Sequence, residues 1–412
     1  MIVVRQAAVL LMAIAVVAAC NNPQAPRITP PPYVPLELAS GVTAVYDTLP
    51  WQDPNGRLIR THTVTVVAID GGSADVVASV TLNRRTELPP PMLALAAPLL
   101  GGCGPMSCAP PLEPPYVSTS RDRIYVLDGD STIKQVGMDG TSRTVMSLQV
   151  PAKMRAAFAV SPDNRRVAVA LIDFGGTTGD QLYVEPLGGG QRISLTTSST
   201  VGYWPIGWRD GKVVLATGST YLPGIPNPYS ALAYALLDPI AGAQPKLINP
   251  HDCIPIGLVN AGGTACFDRG AGRCNEREGW LGYNACYWRL DWSGKQTTFS
   301  LPHVMRAGPT LGDAAALSPD GRAIITSRLF FATASGGKAC CNQLAPAQGD
   351  PLADRDIGWI DATHIAWSFA THDGTSGRGI IDLGSGSAGA TNVVISGPTV
   401  TGHLVATLPG GL

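Results

Sequence analysis

Leu317-Ser318-Pro319-Asp320-Gly321-Arg322-Ala323-Ile324-Ile325-Thr326 places a tight-turn sequence between two apolar runs. Proline presets φ for a turn, aspartate bonds back to the backbone, and glycine accepts a positive φ. Residues 160–169, with Ser161-Pro162-Asp163-Asn164 at their turn, repeat the same order of residue types. Both stretches predict strand–turn–strand hairpins.

Weaker versions of this first turn recur along the chain, at residues 53–56, 120–123, 208–213, 260–263 and 359–365. Most are followed by a second turn, in which an apolar strand enters Asp or Gly, at residues 68–71, 138–140, 187–189, 237–239, 291–294 and 382–384. The unit that starts at Asp320 lacks a clear second turn. Two hairpins every 40–45 residues or so, with longer steps where loops are inserted, are typical of propeller blades.

The repeat predicts an all-β fold, a single β-propeller of seven four-stranded blades over residues 41–412. A Pro/Cys-rich insertion at residues 88–115 interrupts the rhythm, so six blades plus an irregular N-terminal segment is the alternative. A lone blade cannot bury both of its faces, and a closed ring protects the strand edges. We therefore expect Leu404-Val405-Ala406-Thr407 to close the ring beside the N-terminal blade.

The Ser-Pro-Asp-Gly element followed by an apolar strand resembles the TolB-type, WD-like propeller repeat. Residues 161–164 and 318–321 match this repeat well. The resemblance implies a propeller in an extracytoplasmic protein whose usual role is binding. It transfers no catalytic residue to this chain.

The N-terminus predicts export. Arg5 precedes an apolar stretch at residues 7–19, which is typical of a signal peptide and too short to span a bilayer. The ending Val17-Ala18-Ala19-Cys20 resembles the lipobox of bacterial lipoproteins, which implies that Cys20 is acylated and becomes the new N-terminus. Residues 1–19 are then a signal helix and residues 20–40 a disordered, Pro-rich tether. The protein is predicted to be lipid-anchored at the cell membrane, on the extracytoplasmic face; an ordinary cleaved signal is the alternative.

Eight further cysteines predict disulfides in an exported chain. They are Cys103, Cys108, Cys253, Cys266, Cys274, Cys286, Cys340 and Cys341. Cys103 and Cys108 share one short loop and are expected to pair with each other. A zinc site is the competing interpretation, but the spacings lack the paired C-x2-C pattern of structural zinc.

Composition and motifs restrict the chemistry. Only 14% of residues are charged and the net charge is -1, so nucleic acid is not an expected partner. The chain contains no serine hydrolase elbow, no H-E-x-x-H and no phosphate-binding loop, and the sequence indicates no catalytic residue, metal site or cofactor. Cys253 follows His251 closely, but an oxidised cysteine is not a nucleophile.

Aromatic residues suggest a binding surface. Tyr203 and Trp204 depart from strict alternation and are the candidate surface residues for stacking on a sugar or peptide. Other aromatic and apolar positions are expected to pack between blades, because they alternate along a strand or precede a first turn. These positions are Trp208, Trp288, Leu290, Trp292 and Trp359.

The sequence therefore predicts a binding or scaffolding module that presents loops and a funnel to an envelope protein, a glycan or a small ligand. An enzyme acting on envelope or extracellular polymers is the first alternative, and a structural spacer is the second. Convergent carboxylates or histidines at the funnel mouth would favour the enzyme. An exposed apolar or aromatic patch would favour the binder.

Overall fold

The computed structural model describes residues 42–48, 59–84, 116–152, 154–173, 180–196, 203–217, 231, 233–248, 254–268, 286–299, 315–326, 330–333, 336–339, 354–370, 376–383 and 391–408. They all belong to the compact unit Tyr33–Leu412. Within these ranges there are β-strands and no helix. The strands form six four-stranded sheets and one five-stranded sheet, which confirms the all-β prediction.

The first three strands are β1 (Val42–Asp47), β2 (Thr61–Asp70) and β3 (Ser73–Asn83). Three four-stranded blades follow: β4 (Val117–Thr119), β5 (Ile124–Asp128), β6 (Thr132–Val136) and β7 (Ser142–Ser147); β8 (Met154–Val160), β9 (Arg166–Asp173), β10 (Gln181–Pro186) and β11 (Ile193–Thr196); β12 (Tyr203–Arg209), β13 (Lys212–Thr217), β14 (Ala233–Leu237) and β15 (Lys246–Leu247).

The next three blades are β16 (Ile254–Pro255), β17 (Thr264–Asp268), β18 (Cys286–Leu290) and β19 (Gln296–Phe299); β20 (Ala315–Leu317), β21 (Ala323–Thr326), β22 (Phe330–Thr333) and β23 (Gly336–Ala339); β24 (Asp354–Trp359), β25 (His364–Ala370), β26 (Ser376–Asp382) and β27 (Thr391–Val393). Two last strands, β28 (Ile395–Ser396) and β29 (His403–Leu408), join the five-stranded sheet.

The blades form a ring around their first strands. β4 lies beside β8, β8 beside β12, β20 beside β24, and β24 beside β29, which in turn lies beside β4. Each first strand is therefore the innermost strand of its blade. Between β16 and β20, the Ala315 N–H donates to the Ile256 carbonyl at 2.9 Å. This arrangement of sheets is a single β-propeller.

The five-stranded sheet, here called the closing sheet, combines both ends of the chain in the order β28-β3-β2-β1-β29. β29 pairs antiparallel with β1, from Thr43 opposite Leu408 to Asp47 opposite His403. The prediction that residues 404–407 close the ring is confirmed. The propeller thus has six regular blades and the closing sheet. The N-terminal segment, which the sequence assigned either to a seventh blade or to an irregular region, forms the strands β1, β2 and β3 of that sheet.

One predicted hairpin has a different role. Residues 53–56 were expected to join the first and second strands of a blade, but they lie between β1 and β2, the second and third strands from the ring centre. The first-to-second pairing in this sheet is β29 with β1, which no turn connects. The prediction was wrong because a pairing between the chain ends leaves no local turn signal. Residues 53–56 themselves lie outside the described ranges.

The other predicted turns are confirmed where the structure describes them, whereas Gly384 of the turn at residues 382–384 lies outside the described ranges. In all six four-stranded blades a first turn joins the first and second strands, and Asp70-Gly71 joins β2 to β3. The unit that starts at Asp320 has a fourth strand, β23, although its sequence lacks a recognisable second turn. Here the sequence signal was too weak, because residues 334–335 contain none of the Asp-Gly pairs found elsewhere.

The Ser-Pro-Asp turns hold themselves together with short hydrogen bonds. Ser318 Oγ donates to Asp320 Oδ1 at 2.6 Å and accepts from the Ala323 N–H at 2.9 Å. Gly321 has a φ of 70°, and Asn164 in the second copy has a φ of 56°. Burial raises the pKa of Asp320, but the bonds from Ser318 Oγ and the Arg322 N–H outweigh burial and leave the pKa below its ordinary value.

Side chains on the inner strands tie neighbouring blades together. Trp208 Nε1 donates to the Ala159 carbonyl at 2.9 Å, and Trp359 Nε1 donates to the Ala316 carbonyl at 3.1 Å. Both acceptors stand two residues before a Ser-Pro-Asp turn, so the same bond recurs at two blade boundaries. Side chains form further hydrogen bonds across blade boundaries, between Ser118 and Val160, Arg209 and Ala261, Asn260 and Leu317, and Thr407 and Trp359.

The expected core positions are buried where their side chains are described. Trp208, Trp359, Leu290 and Trp292 are all less than one-tenth exposed, which confirms their packing role. Trp292 Nε1 also donates to the Asn260 carbonyl at 2.9 Å. The side chain of Trp288 lies outside the described part of the structure.

Candidate functional site

Strand direction sorts the connections between strands onto two faces of the propeller. Neighbouring strands within each four-stranded blade are antiparallel. The turns between first and second strands and between third and fourth strands therefore meet at one face, here called the short-turn face. The connections between second and third strands, and from one blade to the next, lie at the opposite face.

This opposite face, here called the long-connection face, receives most of the long connections. On the short-turn face the connections between strands have eight residues or fewer, such as 161–165 or 318–322. Six connections of 13 or more residues start and end at strand ends on the long-connection face, namely residues 48–60, 84–116, 218–232, 269–285, 300–314 and 340–353. Binding residues in rigid folds usually lie on such connections, so this face is the candidate site.

A buried histidine–carboxylate pair lies where the closing sheet meets this face. Asp47 ends β1 and His62 is near the start of β2. His62 Nδ1 lies 2.9 Å from Asp47 Oδ1 and 3.1 Å from Oδ2, and both side chains are almost fully buried. The His62 ring lies against Tyr116, with centroids 4.7 Å apart and ring planes tilted by 45°, and the Arg84 guanidinium lies 5.9 Å from the Tyr116 ring centre.

The pair leaves one imidazole nitrogen unused. If Nδ1–H donates to the Asp47 carboxylate, His62 Nε2 carries a lone pair, as in histidines that act as general bases. No described residue forms a hydrogen bond with His62 Nε2, and that atom is buried. Buried polar atoms normally have partners, so this nitrogen requires a functional or structural explanation.

A second polar cluster lies on the same face, between the closing sheet and the last blade. Asp356 Oδ2 accepts from Ser368 Oγ at 2.8 Å and lies 2.9 Å from His403 Nδ1. Ser368 Oγ also accepts from the Leu404 N–H at 2.9 Å. Because the serine hydroxyl donates to the aspartate and not to the histidine, this Ser–Asp–His group does not have the geometry of a nucleophilic triad.

Tyr46 and Arg378 complete this second cluster. Tyr46 Oη donates to the Gly379 carbonyl at 3.2 Å, and Arg378 Nε donates to the Gly402 carbonyl. Burial of the Tyr46 side chain raises its pKa far above the usual range, so the hydroxyl stays protonated at neutral pH. These bonds join β26 to β1 and to the segment that leads into β29, and they stabilise the ring closure.

A buried ion pair at the next blade boundary has a structural role. Arg155 on β8 contacts Asp130, in the β5–β6 connection, at 2.6 Å, and both side chains are buried. Asp130 has a φ of 57°, which is uncommon for a residue other than glycine. Breaking such a pair leaves an uncompensated buried charge, so the pair fixes how two blades pack.

The predicted stacking residues Tyr203 and Trp204 do start β12 at the long-connection face. Trp204, however, is 1% exposed and belongs to the core, so the prediction of a surface role for it is wrong. The innermost strand of a blade is covered by neighbours on both faces, and departure from alternation therefore does not indicate exposure. Tyr203 is half-buried against the same core, and its binding role stays a prediction.

Most of the other predicted residues lie outside the described ranges. These are the lipid site Cys20, the signal and tether at residues 1–40, and Cys103, Cys108, Cys253, Cys274, Cys340 and Cys341. Cys266 is fully buried on β17, and Cys286 starts the neighbouring strand β18. The pairing of these cysteines stays a prediction.

The described ranges contain no group of three or more histidine, cysteine, aspartate or glutamate side chains arranged to hold a metal ion. Nor do they contain a helix with the length and apolarity needed to cross a membrane. The described chemistry of the face is thus histidine–carboxylate pairs, arginines and tyrosines.

Solved propeller structures resemble this chain at low similarity. A putative TolB from Agrobacterium tumefaciens has 12% identity and a TM-score of 0.33, over 64% of this chain and 78% of its own. An oligogalacturonate lyase in complex with manganese has 10% identity and a TM-score of 0.36, over 84% of each chain. The β-propeller domain of the Trilobed protease from Pyrococcus furiosus has 8% identity and a TM-score of 0.36, over 85% of this chain and 98% of its own.

No protein-family model matches the chain, and no curated protein matches it either. Similarity to solved structures at this level does not assign a function. The propeller assignment therefore rests on the sheet order and strand pairing described above.

Proposed function

We propose that this protein is an exported, lipid-anchored β-propeller that binds a partner at the cell envelope through its long-connection face. The observation that carries the proposal is the asymmetry between the two faces. Connections of eight residues or fewer join the strands on one face, while all six connections of 13 or more residues start and end at the other. A rigid ring that carries long connections on one side is suited to presenting a composite binding surface.

The N-terminal sequence supports the location. Cys20 follows the small residues of a lipobox-like stretch, and a Pro-rich segment separates it from the first strand. Such a segment, extended at about 3 Å per residue, holds the propeller tens of ångströms from the membrane. Substituting Cys20→Ala is expected to release the protein from washed membranes, and retention of the variant would contradict the anchor.

Site-specific cross-linking in intact cells tests the binding face. A photoreactive residue at Gln181 or Ser376, both exposed at strand starts on the long-connection face, should capture one reproducible partner. The matched control sites, Asp210 and Ala362, are exposed on the short-turn face and should capture none. Equal capture from both faces would contradict the proposed surface, and no capture from either would favour a structural spacer.

A polymer-degrading enzyme is the second candidate, and the Asp47–His62 pair is the observation that favours it. A buried imidazole oriented by a carboxylate is a suitable general base once a substrate hydroxyl or water reaches Nε2. His364 is a matched control, because its Nδ1 lies 2.8 Å from Asp361 Oδ2 but on the short-turn face.

The enzymatic alternative has its own test. If the protein degrades any member of an envelope-glycan panel, His62→Gln should lower kcat by about 100-fold or more, whereas His364→Gln should leave it unchanged. Equal effects of the two substitutions, or no turnover of any glycan, would reject a catalytic role for His62.

A further inference from the structure

The outermost regular strand of the closing sheet is unusually long. β3 has 11 residues, whereas the outer strands of the six other blades, β7, β11, β15, β19, β23 and β27, have between 2 and 6. A long strand at a sheet edge presents a row of backbone donors and acceptors that another extended chain can pair with. Natural proteins usually cover or shorten such edges.

Among the described residues, other segments of the chain cover only the two ends of the outer edge of β3. β28 pairs in parallel with Ala74 and Asp75, and the chain then leaves the edge at Gly397, whose φ is 99°. At the other end, the Asn83 N–H donates to Asp128 Oδ1 at 2.7 Å, and the Gly129 N–H donates to the Asn83 carbonyl at 2.9 Å. The edge thus already accepts other chain segments at both ends.

The pairing with β2 shows which backbone groups face outward between these ends. The Arg84 N–H donates to the Arg60 carbonyl at 2.8 Å, so Arg84 directs its backbone groups towards the strand that contains β2. The residue before it, Asn83, therefore directs its N–H and C=O groups away from β2. In an antiparallel pair these positions alternate, so Ser79 and Thr81 also direct their N–H and C=O groups away from β2. Among the described residues, none pairs with those outward groups of Ser79 and Thr81.

The side chains around this open edge define the chemistry of a matching strand. Ala78, Val80 and Leu82 are buried on the face that packs towards β4 and β5. Ser79 and Thr81 are exposed on the other face. A strand added at the edge would continue both faces of the sheet. Its apolar residues would lie beside Ala78, Val80 and Leu82, and its polar residues beside Ser79 and Thr81.

We infer that the outer edge of β3 from Ala78 to Leu82 binds an extended segment of a partner polypeptide with alternating apolar and polar residues. Only another extended backbone offers donors and acceptors at the spacing that Ser79 and Thr81 present. The length of the edge, about five residues, is that of an average strand. The outer edge of β3 is separate from the long-connection face. The test of one binding surface can therefore fail while the other proposal stands.

The probe is a displayed library of nine-residue peptides that alternate apolar and polar positions, selected on the full-length mature protein. Hydrogen exchange should show the amides of Ser79 and Thr81 becoming protected when a selected peptide binds. The amides of β7, the outer strand of the next blade, should not change. Protection elsewhere without protection of Ser79 and Thr81, or no selected peptide, would overturn the inference.

Two further measurements test the backbone pairing itself. N-methylation of the bound peptide should abolish binding at alternate positions and be tolerated at those between, because only every second N–H faces β3. Thr81→Pro, which removes an outward N–H, should weaken binding at least about tenfold, whereas Thr81→Val should not. Both variants lose the Thr81 hydroxyl, so Thr81→Val controls for its contact with Thr63.

If Thr81→Pro does not fold, the N-methylation series on the unaltered protein still decides the question, and tolerance at every position would reject strand pairing. Light scattering and hydrogen exchange, both measured without peptide, distinguish pairing with a second copy of this chain from pairing with a different polypeptide. Concentration-dependent dimers with protected Ser79 and Thr81 amides would overturn the inference in favour of self-pairing.

Discussion

Gly402 is a residue at which the ring closure is sensitive to a single methyl group. Its φ is 93°, and a Cβ at this position would overlap the Asp47 carbonyl. Arg378 also donates to the Gly402 carbonyl. Gly188 is a matched control, because its φ is 96° and a Cβ there would meet no atom within 4 Å.

We expect Gly402→Ala to lower the free energy of unfolding by more than about 3 kcal/mol, because the closing strand must shift. Gly188→Ala should cost about 1–2 kcal/mol, which is the backbone strain alone. Denaturant unfolding of both variants measures the difference. Equal losses would mean that β1 and the segment before β29 do not approach each other as closely as described.

The turn aspartates predict how stability depends on acid. Bonds from neighbouring hydroxyl and N–H groups outweigh burial and lower the pKa of Asp163, Asp320 and Asp361 from the ordinary value of 3.8. A carboxyl with a lowered pKa in the folded state stabilises the fold above its unfolded pKa. This stability is lost as the pH falls through the folded-state pKa.

Wild-type protein should therefore lose thermal stability below about pH 4, and Asp320→Asn should reduce that loss. The effect of one turn is small because the Asp320 side chain is mostly exposed. Asp210→Asn is the control, since its side chain is also exposed and lies in a first turn. Melting temperatures at pH 7 and pH 3 test this, and an identical pH dependence of Asp320→Asn and wild type would contradict it.

At the scale of elements, the bonds between inner strands determine how blades pack. Trp208 is 2% exposed, and its N–H is bonded to the fully buried Ala159 carbonyl. The Arg166 guanidinium also lies 4.8 Å from the Trp208 ring centre. Replacing the indole removes this bond between blades, while the Ala159 carbonyl keeps its place opposite Ala168 in the pairing of β8 with β9.

Trp208→Phe should lower the free energy of unfolding by about 1–3 kcal/mol, because it removes one hydrogen bond between blades and leaves part of the buried indole volume unfilled. Tyr203→Phe, at the other end of the same strand, should change it by less than about 0.5 kcal/mol, as expected for a half-buried group away from such bonds. Chemical denaturation measures both. A loss for Trp208→Phe no larger than for Tyr203→Phe would contradict the role of this bond.

The sequence predicted the hairpins because their signals are local. Ser318, Asp320 and Gly321 bond within a few residues of one another, and the turn type follows from those residues alone. The same locality explains why the second Ser-Pro-Asp turn was also recognised. Residues 53–56 were misassigned because β1 pairs with β29 across nearly the whole chain, and no local pattern encodes that pairing.

The candidate site was less predictable for the same reason. Asp47 and His62 belong to no recognisable motif, although they flank the turn sequence at residues 53–56, and the pair forms because β1 and β2 are neighbouring strands. Trp204 was misjudged because burial on both faces depends on the neighbouring blades. Tyr203 stays a candidate because β12 begins there, at the long-connection face.

At the scale of the whole molecule, the ring depends on contacts between the two ends of the chain. β29 covers the inner edge of β1, where Ala44, Val45 and Tyr46 are fully buried. β28 adds a second junction at the outer edge of the same sheet, where Ser396 Oγ donates to the Ala74 carbonyl at 3.1 Å. Closure at both edges makes the closing sheet the element on which the cooperativity of the propeller depends.

Calorimetry of two truncated chains measures this dependence directly. Removing residues 403–412 deletes β29, whereas removing residues 409–412 leaves every described strand intact. The first truncation is expected to abolish the single cooperative transition or lower its midpoint by more than about 10 °C, because the inner edge of β1 becomes exposed. The second is expected to melt like the full chain. If the chain without residues 403–412 melted with an unchanged midpoint and enthalpy, the closed propeller described here would be wrong.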